Sequence, residues 1–296
     1  MKARFITGAL AIVAVLALTA LPAGARRNAP KPVTRYYLAL GDSLSVGYQP
    51  DGAGGGAETT QGYADQLYAN LRRRIRHLKL VKLGCPGEST ASMISGKGNE
   101  GSAAAFHCRV PQLSAAERFL KAHHRRREVA LVTIDIGAND VDGCIGDASN
   151  LGPCLSSGEA AIRANEPKIL GALRRAAPKG TSFASMDLYD PVLAAYLSPS
   201  SPLNPFAEPS VQLTEEVNAD IDAAARAARF RIADVFDAFR TTDQTPTTYA
   251  GQSVPTNVAE ICVLTWMCSS FQNIHANRAG YGVIARAFEK AISRIR

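Results

Sequence analysis

The amino-acid sequence predicts an α/β fold: a three-layer α/β/α sandwich around a five-stranded parallel sheet. Three observations lead there. Short, apolar, β-rich runs alternate along the chain with longer segments of helical period, the order that yields parallel strands joined by crossover helices. A content of 46% hydrophobic and 20% charged residues is that of a globular protein. About 270 residues remain once a removable leader is set aside, enough for one domain with a sizeable core.

The leader comes first. Lys2 and Arg4 give a positive start, residues 6–21 are almost wholly apolar, and Ala23-Gly24-Ala25 is a small-x-small cleavage site, so residues 1–25 read as a signal peptide. Cleavage there starts the mature chain near Arg26 and leaves residues 26–296 as a single, secreted domain. A retained membrane anchor is the competing reading, but the apolar run is marginal for a span and ends at Pro22. No later segment is long and apolar enough to cross a bilayer, and no cysteine follows the cleavage site to carry a lipid.

The strands are expected at 36–40, 78–83, 129–136, 182–188 and 231–236, each a short apolar run. Between them, helical patterns run over 63–76, 112–124, 159–177 and 211–229. A last helix sets Tyr281, Ile284, Ala285, Phe288 and Ile292 on one stripe. Right-handed crossovers then place the reactive crevice at the carboxyl ends of the strands. The Gly-rich stretch 51–56 and the long stretch 241–272 read as surface loops near that crevice.

Charge and cysteines narrow the class. The chain carries 33 basic and 26 acidic residues, and without Lys2 and Arg4 the balance is 31 against 26, a mild +5. The basic clusters Arg72-Arg73-Arg74-Ile75-Arg76, His123-His124-Arg125-Arg126-Arg127 and Arg174-Arg175 fall at the ends of helical segments, where cations suit the macrodipole. They read as solvated helix ends, and with no aromatic interleaving no nucleic-acid partner is expected. Six cysteines in an exported chain point to disulfides, and six allow fifteen pairings. Sequential pairing is favoured, because Cys144 to Cys154 and Cys262 to Cys268 bracket short loops. Cys85 with Cys108 then closes a loop containing Gly96, Gly98 and Gly101. No Cys-x-x-Cys and no histidine at ligand spacing is present, so neither a metal nor another cofactor is expected.

Four short motifs fall where the strands end or the last helix begins. Gly41-Asp42-Ser43-Leu44 follows the first strand, Cys85-Pro86-Gly87-Glu88 the second, and Gly137-Ala138-Asn139-Asp140 the third. The fourth, Gln272-Asn273-Ile274-His275, precedes the final helix. Taken singly, Gly-Asp-Ser, Pro-Gly and Asn-Asp are ordinary turn chemistry. Together and in this order, they resemble the four blocks of the GDSL, or SGNH, hydrolase family, over most of the mature chain. The resemblance implies a flavodoxin-like sandwich and a serine esterase or lipase. It further implies Ser43 as nucleophile, His275 as base, and an oxyanion hole from the Ser43 and Gly87 amides and the Asn139 side chain. The three-pair cysteine pattern resembles the secreted actinobacterial branch of that family.

The residue types suit the chemistry. A serine hydroxyl needs a neighbouring base, and imidazole serves near neutral pH. His77, His123 and His124 lie among arginines and His107 adjoins Cys108, which leaves His275. A carbonyl under attack becomes an oxyanion that needs aimed donors, and loss of one costs about 2.7 to 4 kcal/mol of barrier. One departure stands out: the family places an Asp shortly before its histidine, whereas this chain has Gln272 and Asn273. A backbone carbonyl of Gln272 or Asn273 is the expected orienter of His275, with Asp243 as a remote alternative.

An α/β-hydrolase would need Gly-x-Ser-x-Gly, which this chain lacks. The remaining alternatives are a secreted carbohydrate- or surface-binding protein on the same fold and a carbohydrate O-acetylesterase. The expected partner is a small-molecule or lipid ester, bound by a monomer. Residues 52–60 and 198–209 are candidates for shaping the substrate site. The segment around Pro199 and the run Val263-Leu264-Thr265-Trp266-Met267 either line an acyl site or pack on the core.

Overall fold

Five apolar segments form one sheet: β1 (Arg35–Gly41), β2 (Leu78–Lys82), β3 (Val129–Asp135), β4 (Ser182–Met186) and β5 (Arg231–Ala233). The computed structural model describes residues 33–51, 55–97, 108, 110–146 and 150–293. The leader with its cleavage site, Gly52 to Gly54, Gly98, Gly101 and His107 lie outside the described residues. The strands run in the order β2-β1-β3-β4-β5, every neighbouring pair parallel. β3 reads Val-Ala-Leu-Val-Thr-Ile-Asp and is buried throughout, as a central strand covered on both faces must be.

Alternate residues of the strands serve two cores. Tyr37 and Ala39 of β1 face α1 (Tyr63–Leu71) and the last helix, and Leu38 and Leu40 face the helices of the other layer. That second layer comprises α2 (Thr90–Ser95), α3 (Gln112–Ala122), α4 (Leu151–Ala176) and α5 (Pro209–Ala227). The first layer is completed by α6 (Thr256–Leu264) and α7 (Arg278–Ala291), whose Tyr281, Ile284 and Phe288 are fully buried. The sequence-based stripe on α7 is therefore the core face.

The differences from expectation are local and have causes. α4 begins at Leu151, eight residues before the expected 159; Gly152 and Pro153 argue against helix by propensity, but a proline in the first turn gives up no intrahelical hydrogen bond. α1 stops at Leu71, short of 76. α2 was not expected; Ser89 caps it, accepting from the Ser92 amide while the Ser92 hydroxyl accepts from the Ser89 amide. The stretch 241–272, expected as loop, instead holds a hairpin of Pro246–Tyr249 with Gln252–Pro255, followed by α6. Its turn places Ala250 and Gly251 at φ of 49° and 81°, the primed geometry of a tight hairpin, without the usual Asn-Gly signature.

The cysteines pair sequentially, Cys85–Cys108, Cys144–Cys154 and Cys262–Cys268. Cys144–Cys154 ties the segment after β3 to the first turn of α4, and Cys262–Cys268 ties α6 to the approach to α7. Among the described residues, no helix is long and apolar enough to cross a membrane and no metal-binding cluster occurs.

Candidate active site

In this strand order the chain leaves β1 with β2 on one side and β3 on the other, the topological switch point of a doubly wound sheet. Three of the four sequence motifs are the segments that follow these three strands. They line one cleft of about 290 Å³, which includes Ser43, Gly87, Asn139 and His275, with Tyr48 and Tyr189 on its walls.

The turn carrying Ser43 is over-determined. Gly41 has φ of +126°, and a Cβ there would lie 1.9 Å from the Asp135 carbonyl oxygen, so only glycine lets β1 end this close to β3. The Leu44 amide donates to Asp42 Oδ1 at 2.9 Å, the Ser45 hydroxyl to the Asp42 carbonyl at 2.8 Å, and the Ser45 amide to Asp135 Oδ2 at 3.1 Å. The turn chemistry read from Gly-Asp-Ser is thus present, and it presents the serine.

His275 sits on the short strand Asn273–Ala276, which pairs antiparallel with Thr265–Trp266 just before α7. Its Nε2 is 2.7 Å from Ser43 Oγ. Its Nδ1 is 2.6 Å from Asn273 Oδ1, and the same oxygen accepts the His275 backbone amide at 3.0 Å. An amide N–H can only donate, so the Asn273 atom is the carbonyl oxygen and Nδ1 must carry the proton. That leaves Nε2 with a lone pair facing the serine hydroxyl. The orienter is therefore the Asn273 side chain, and the expectation of a backbone carbonyl at Gln272 or Asn273 is corrected. The short strand directs the Asn273 amide back along its own chain, and a two-residue offset brings it under the ring. Asp243 is engaged elsewhere, holding Thr245 and Arg240, and the Thr245 hydrogen bonds lead in drawing its carboxyl down to about 2.

The loop around His275 is braced on several sides. The Tyr189 hydroxyl donates to the Ile274 carbonyl at 2.8 Å, Gln49 Nε2 to the Ala276 carbonyl at 3.0 Å, and Trp266 Nε1 to Gln49 Oε1 at 3.0 Å. The Tyr48 ring lies 4.4 Å from the imidazole. Burial lowers the His275 pKa to about 4, with no carboxylate raising it. The ring is consequently neutral over most of the pH range and ready to accept a proton.

The groups expected as oxyanion donors come from three loops. Among the described residues, neither the Ser43 nor the Gly87 backbone amide has a hydrogen-bond partner. Gly87 takes φ of +78°, a left-handed conformation that accounts for glycine there more directly than the clearance expected from sequence. Asn139 Nδ2 donates to Asp42 Oδ2 at 3.2 Å and to the Glu88 carbonyl at 3.1 Å. Asp140 is not a simple turn residue: its carboxylate receives the Thr90 amide at 2.8 Å and the Thr90 hydroxyl at 2.6 Å, fixing α2 to the end of β3.

Besides Gln49 and Tyr189, three supporting residues escaped the sequence reading. Asp135, the single charged residue of β3, takes the amides of Asp42 and Ser45 and is hydrogen-bonded to the Tyr63 hydroxyl. Burial first, and then the charge of Asp42, push its carboxyl well above the usual range. Gln112, 2% exposed, accepts the Gly41 amide at 2.7 Å and donates to the Gly41 carbonyl at 2.8 Å and to Glu88 Oε2 at 3.0 Å. Glu88 thereby links the glycine motif to the base of the serine turn. An acid ending an otherwise apolar strand was the one available signal, for Asp135; the others meet only through the fold.

The chain matches the GDSL-like lipase/acylhydrolase family over residues 39–283. Among solved structures it resembles an extracellular lipase from Streptomyces rimosus, at 17% identity and a TM-score of 0.55, with 87% of this chain and 100% of that one covered. It also resembles an acetyl xylan esterase variant from Geobacillus stearothermophilus, at 18% identity and a TM-score of 0.50, with 87% of this chain and 94% of that one covered. No curated protein matches it. With the family match spanning the serine, glycine, asparagine and histidine motifs, the chain belongs to the GDSL-like lipase/acylhydrolase family and is a carboxylic ester hydrolase.

Proposed function

We propose that this protein is a secreted esterase or lipase that works through an acyl-serine intermediate on Ser43, with His275 as general base and acid and Asn273 as its orienter. The observation that carries the reading is the 2.7 Å contact between Ser43 Oγ and His275 Nε2, with the proton direction set by Asn273. As Ser43 Oγ attacks the ester carbonyl carbon, its proton passes to Nε2. The carbonyl oxygen becomes an oxyanion, and the free amides of Ser43 and Gly87 are its donors. Asn139 is the third, gained when the oxyanion replaces the Asp42 carboxylate on Nδ2. Collapse of the adduct breaks the ester C–O bond, and Nε2–H protonates the departing alkoxide. Water then repeats the sequence on the acyl-serine, giving the acid and free Ser43.

Secretion is supported by the leader pattern of residues 1–25, by three disulfides, and by the likeness to an extracellular lipase. Residues 26–296 then act as one hydrolase domain, without a cofactor, on a small-molecule or lipid ester. The test is hydrolysis of 4-nitrophenyl acetate by the purified protein. Ser43→Ala and His275→Ala are expected to lower kcat by roughly a thousandfold or more at unchanged fold. Turnover that survives Ser43→Ala would overturn the assignment, and its absence from the unaltered protein would favour a binding module.

A further inference from the structure

A second pocket, of about 80 Å³, borders the catalytic cleft. The two share a wall made of Leu188, Tyr189 and Pro191 from the segment after β4, together with Asp142. Its far side is apolar: Leu155 of α4, Phe206, and Leu213 and Val217 of α5. Leu155, Phe206 and Leu213 are only half-buried, so apolar surface is held open beside the reacting centre.

The position of this pocket relative to His275 decides what enters it. His275 belongs to the layer of α6 and α7, and it must lie beside the oxygen it protonates, so the alcohol half of the ester occupies that side. The second pocket is built by α4 and α5, in the opposite layer. The oxyanion donors take up the edge between β2 and β3. An acyl chain on Ser43 that follows Leu188 and Pro191, which line both the cleft and this pocket, reaches the apolar side formed by α4 and α5. We propose that it is the acyl-binding pocket, that it takes aliphatic chains of roughly four to six carbons, and that Phe206 and Leu213 set the limit. An apolar cavity of about 150 Å³ holds benzene, and about half that volume holds a few methylenes beyond those lying in the cleft.

The two acids beside it do not spoil an apolar site. Asp190 is turned to the Ser210 hydroxyl at 2.6 Å and the Val192 amide at 2.9 Å, and burial raises its carboxyl to about 6. Burial, with Asp42 and Asp190 nearby, raises Asp142 to about 7. Of the segments the sequence offered for the substrate site, 198–209 contributes Leu203 and Phe206 to this pocket, whereas Leu264 packs into the core and Trp266 is tied to Gln49.

This inference rests on Ser43 being the acylated residue, and the experiment separates the two. The kcat/KM of the full chain is measured on 4-nitrophenyl acetate, butanoate, hexanoate and decanoate. In the unaltered protein it rises by roughly fourfold per methylene up to hexanoate and falls by decanoate. Leu213→Trp, which fills the pocket, lowers the hexanoate-to-acetate ratio roughly tenfold. Phe206→Ala, which enlarges it, raises the decanoate-to-hexanoate ratio several-fold. If Leu213→Trp fails to fold, the Phe206→Ala ratio decides alone. Ratios within twofold of the unaltered protein, with Ser43-dependent acetate turnover intact, overturn the pocket assignment and leave the hydrolase reading standing. Absence of Ser43-dependent turnover on every ester overturns both.

Discussion

Asn273 is one atom away from the residue the family ordinarily carries near its histidine, and the difference has an electrostatic consequence. Its carbonyl oxygen fixes the Nδ1–H tautomer of His275 as a carboxylate would, yet it brings no charge to stabilise the imidazolium formed during attack. Burial alone then governs the ring and sets its pKa near 4. A group lowered in this way is in its basic form above pH 4, so the acid limb of kcat/KM is expected near that value. Asn273→Asp keeps both hydrogen bonds and adds a negative charge, which favours protonated imidazole. The acid limb is expected to move up by roughly one to three pH units. Asn273→Ala removes the acceptor and is expected to cost on the order of tenfold to a hundredfold in kcat, measured at pH 7 on 4-nitrophenyl acetate. An unmoved pH profile in Asn273→Asp would count against the orienting role. Sequence alone made Ser43 and His275 legible, because each stands in a short recognisable setting and histidine is scarce, with five in the chain. Which atom orients His275 was not legible, since backbone and side-chain carbonyls of one asparagine differ only in conformation.

At the scale of elements, the serine turn is held by a helix remote in sequence. Gln112, at the start of α3, pairs with both backbone groups of Gly41 as a neighbouring strand would, beyond the point where β2 stops matching β1. Gln112→Ala leaves the buried Gly41 amide unpaired, a loss of roughly 1 to 3 kcal/mol. A lower urea midpoint is expected, together with a fall in kcat that exceeds any rise in KM, because the displaced group is the turn two residues before Ser43. A stability loss with kcat unchanged would confine Gln112 to a structural part. The strands were the most legible elements, since β1 and β3 hold runs of consecutive apolar residues, 36–40 and 129–132, that only a sheet covered on both faces can bury. The start of α4 and the whole of α6 were hidden. At Gly152-Pro153 local propensity contradicts the helix, and α6 is apolar on nearly all sides, so no amphipathic stripe marks it.

For the whole molecule, the buried carboxyls set the response to pH. Asp142 and Asp187 are raised to about 7 and Asp190 to about 6, in each case first by burial, from an ordinary value of 3.8. Glu166, whose two oxygens have no partner among the described residues, is raised well above its ordinary value for the same reason. Each binds a proton in the folded state at pH values where the unfolded chain has lost it, so stability falls as pH rises from about 4 to about 7. His275, lowered from 6.5 to about 4, acts in the opposite sense over that window, and one imidazole is outnumbered. Urea unfolding is therefore expected to show higher stability at pH 5 than at pH 7.5. Asp187→Asn should reduce that difference, because an amide oxygen still accepts the Val235 and Phe236 amides at the Oδ1 position without titrating. Equal stability at the two pH values would show that these carboxyls ionise as freely as in the unfolded chain.

The sequence by itself determined the layer order, the five strands and the four motifs that line the cleft, and it favoured the sequential cysteine pairs. These depend on local pattern: apolar periodicity, turn residues and spacing, all of which survive in a linear chain. Only the tertiary structure decided how the motifs are joined and what the site admits. Gln112, Asp135 and Tyr189 reach the catalytic loops from elements far away in sequence, and α4 and α5 meet to form the apolar pocket beside them. Such contacts follow from which strands become neighbours, and that choice is made by the packing of the whole core.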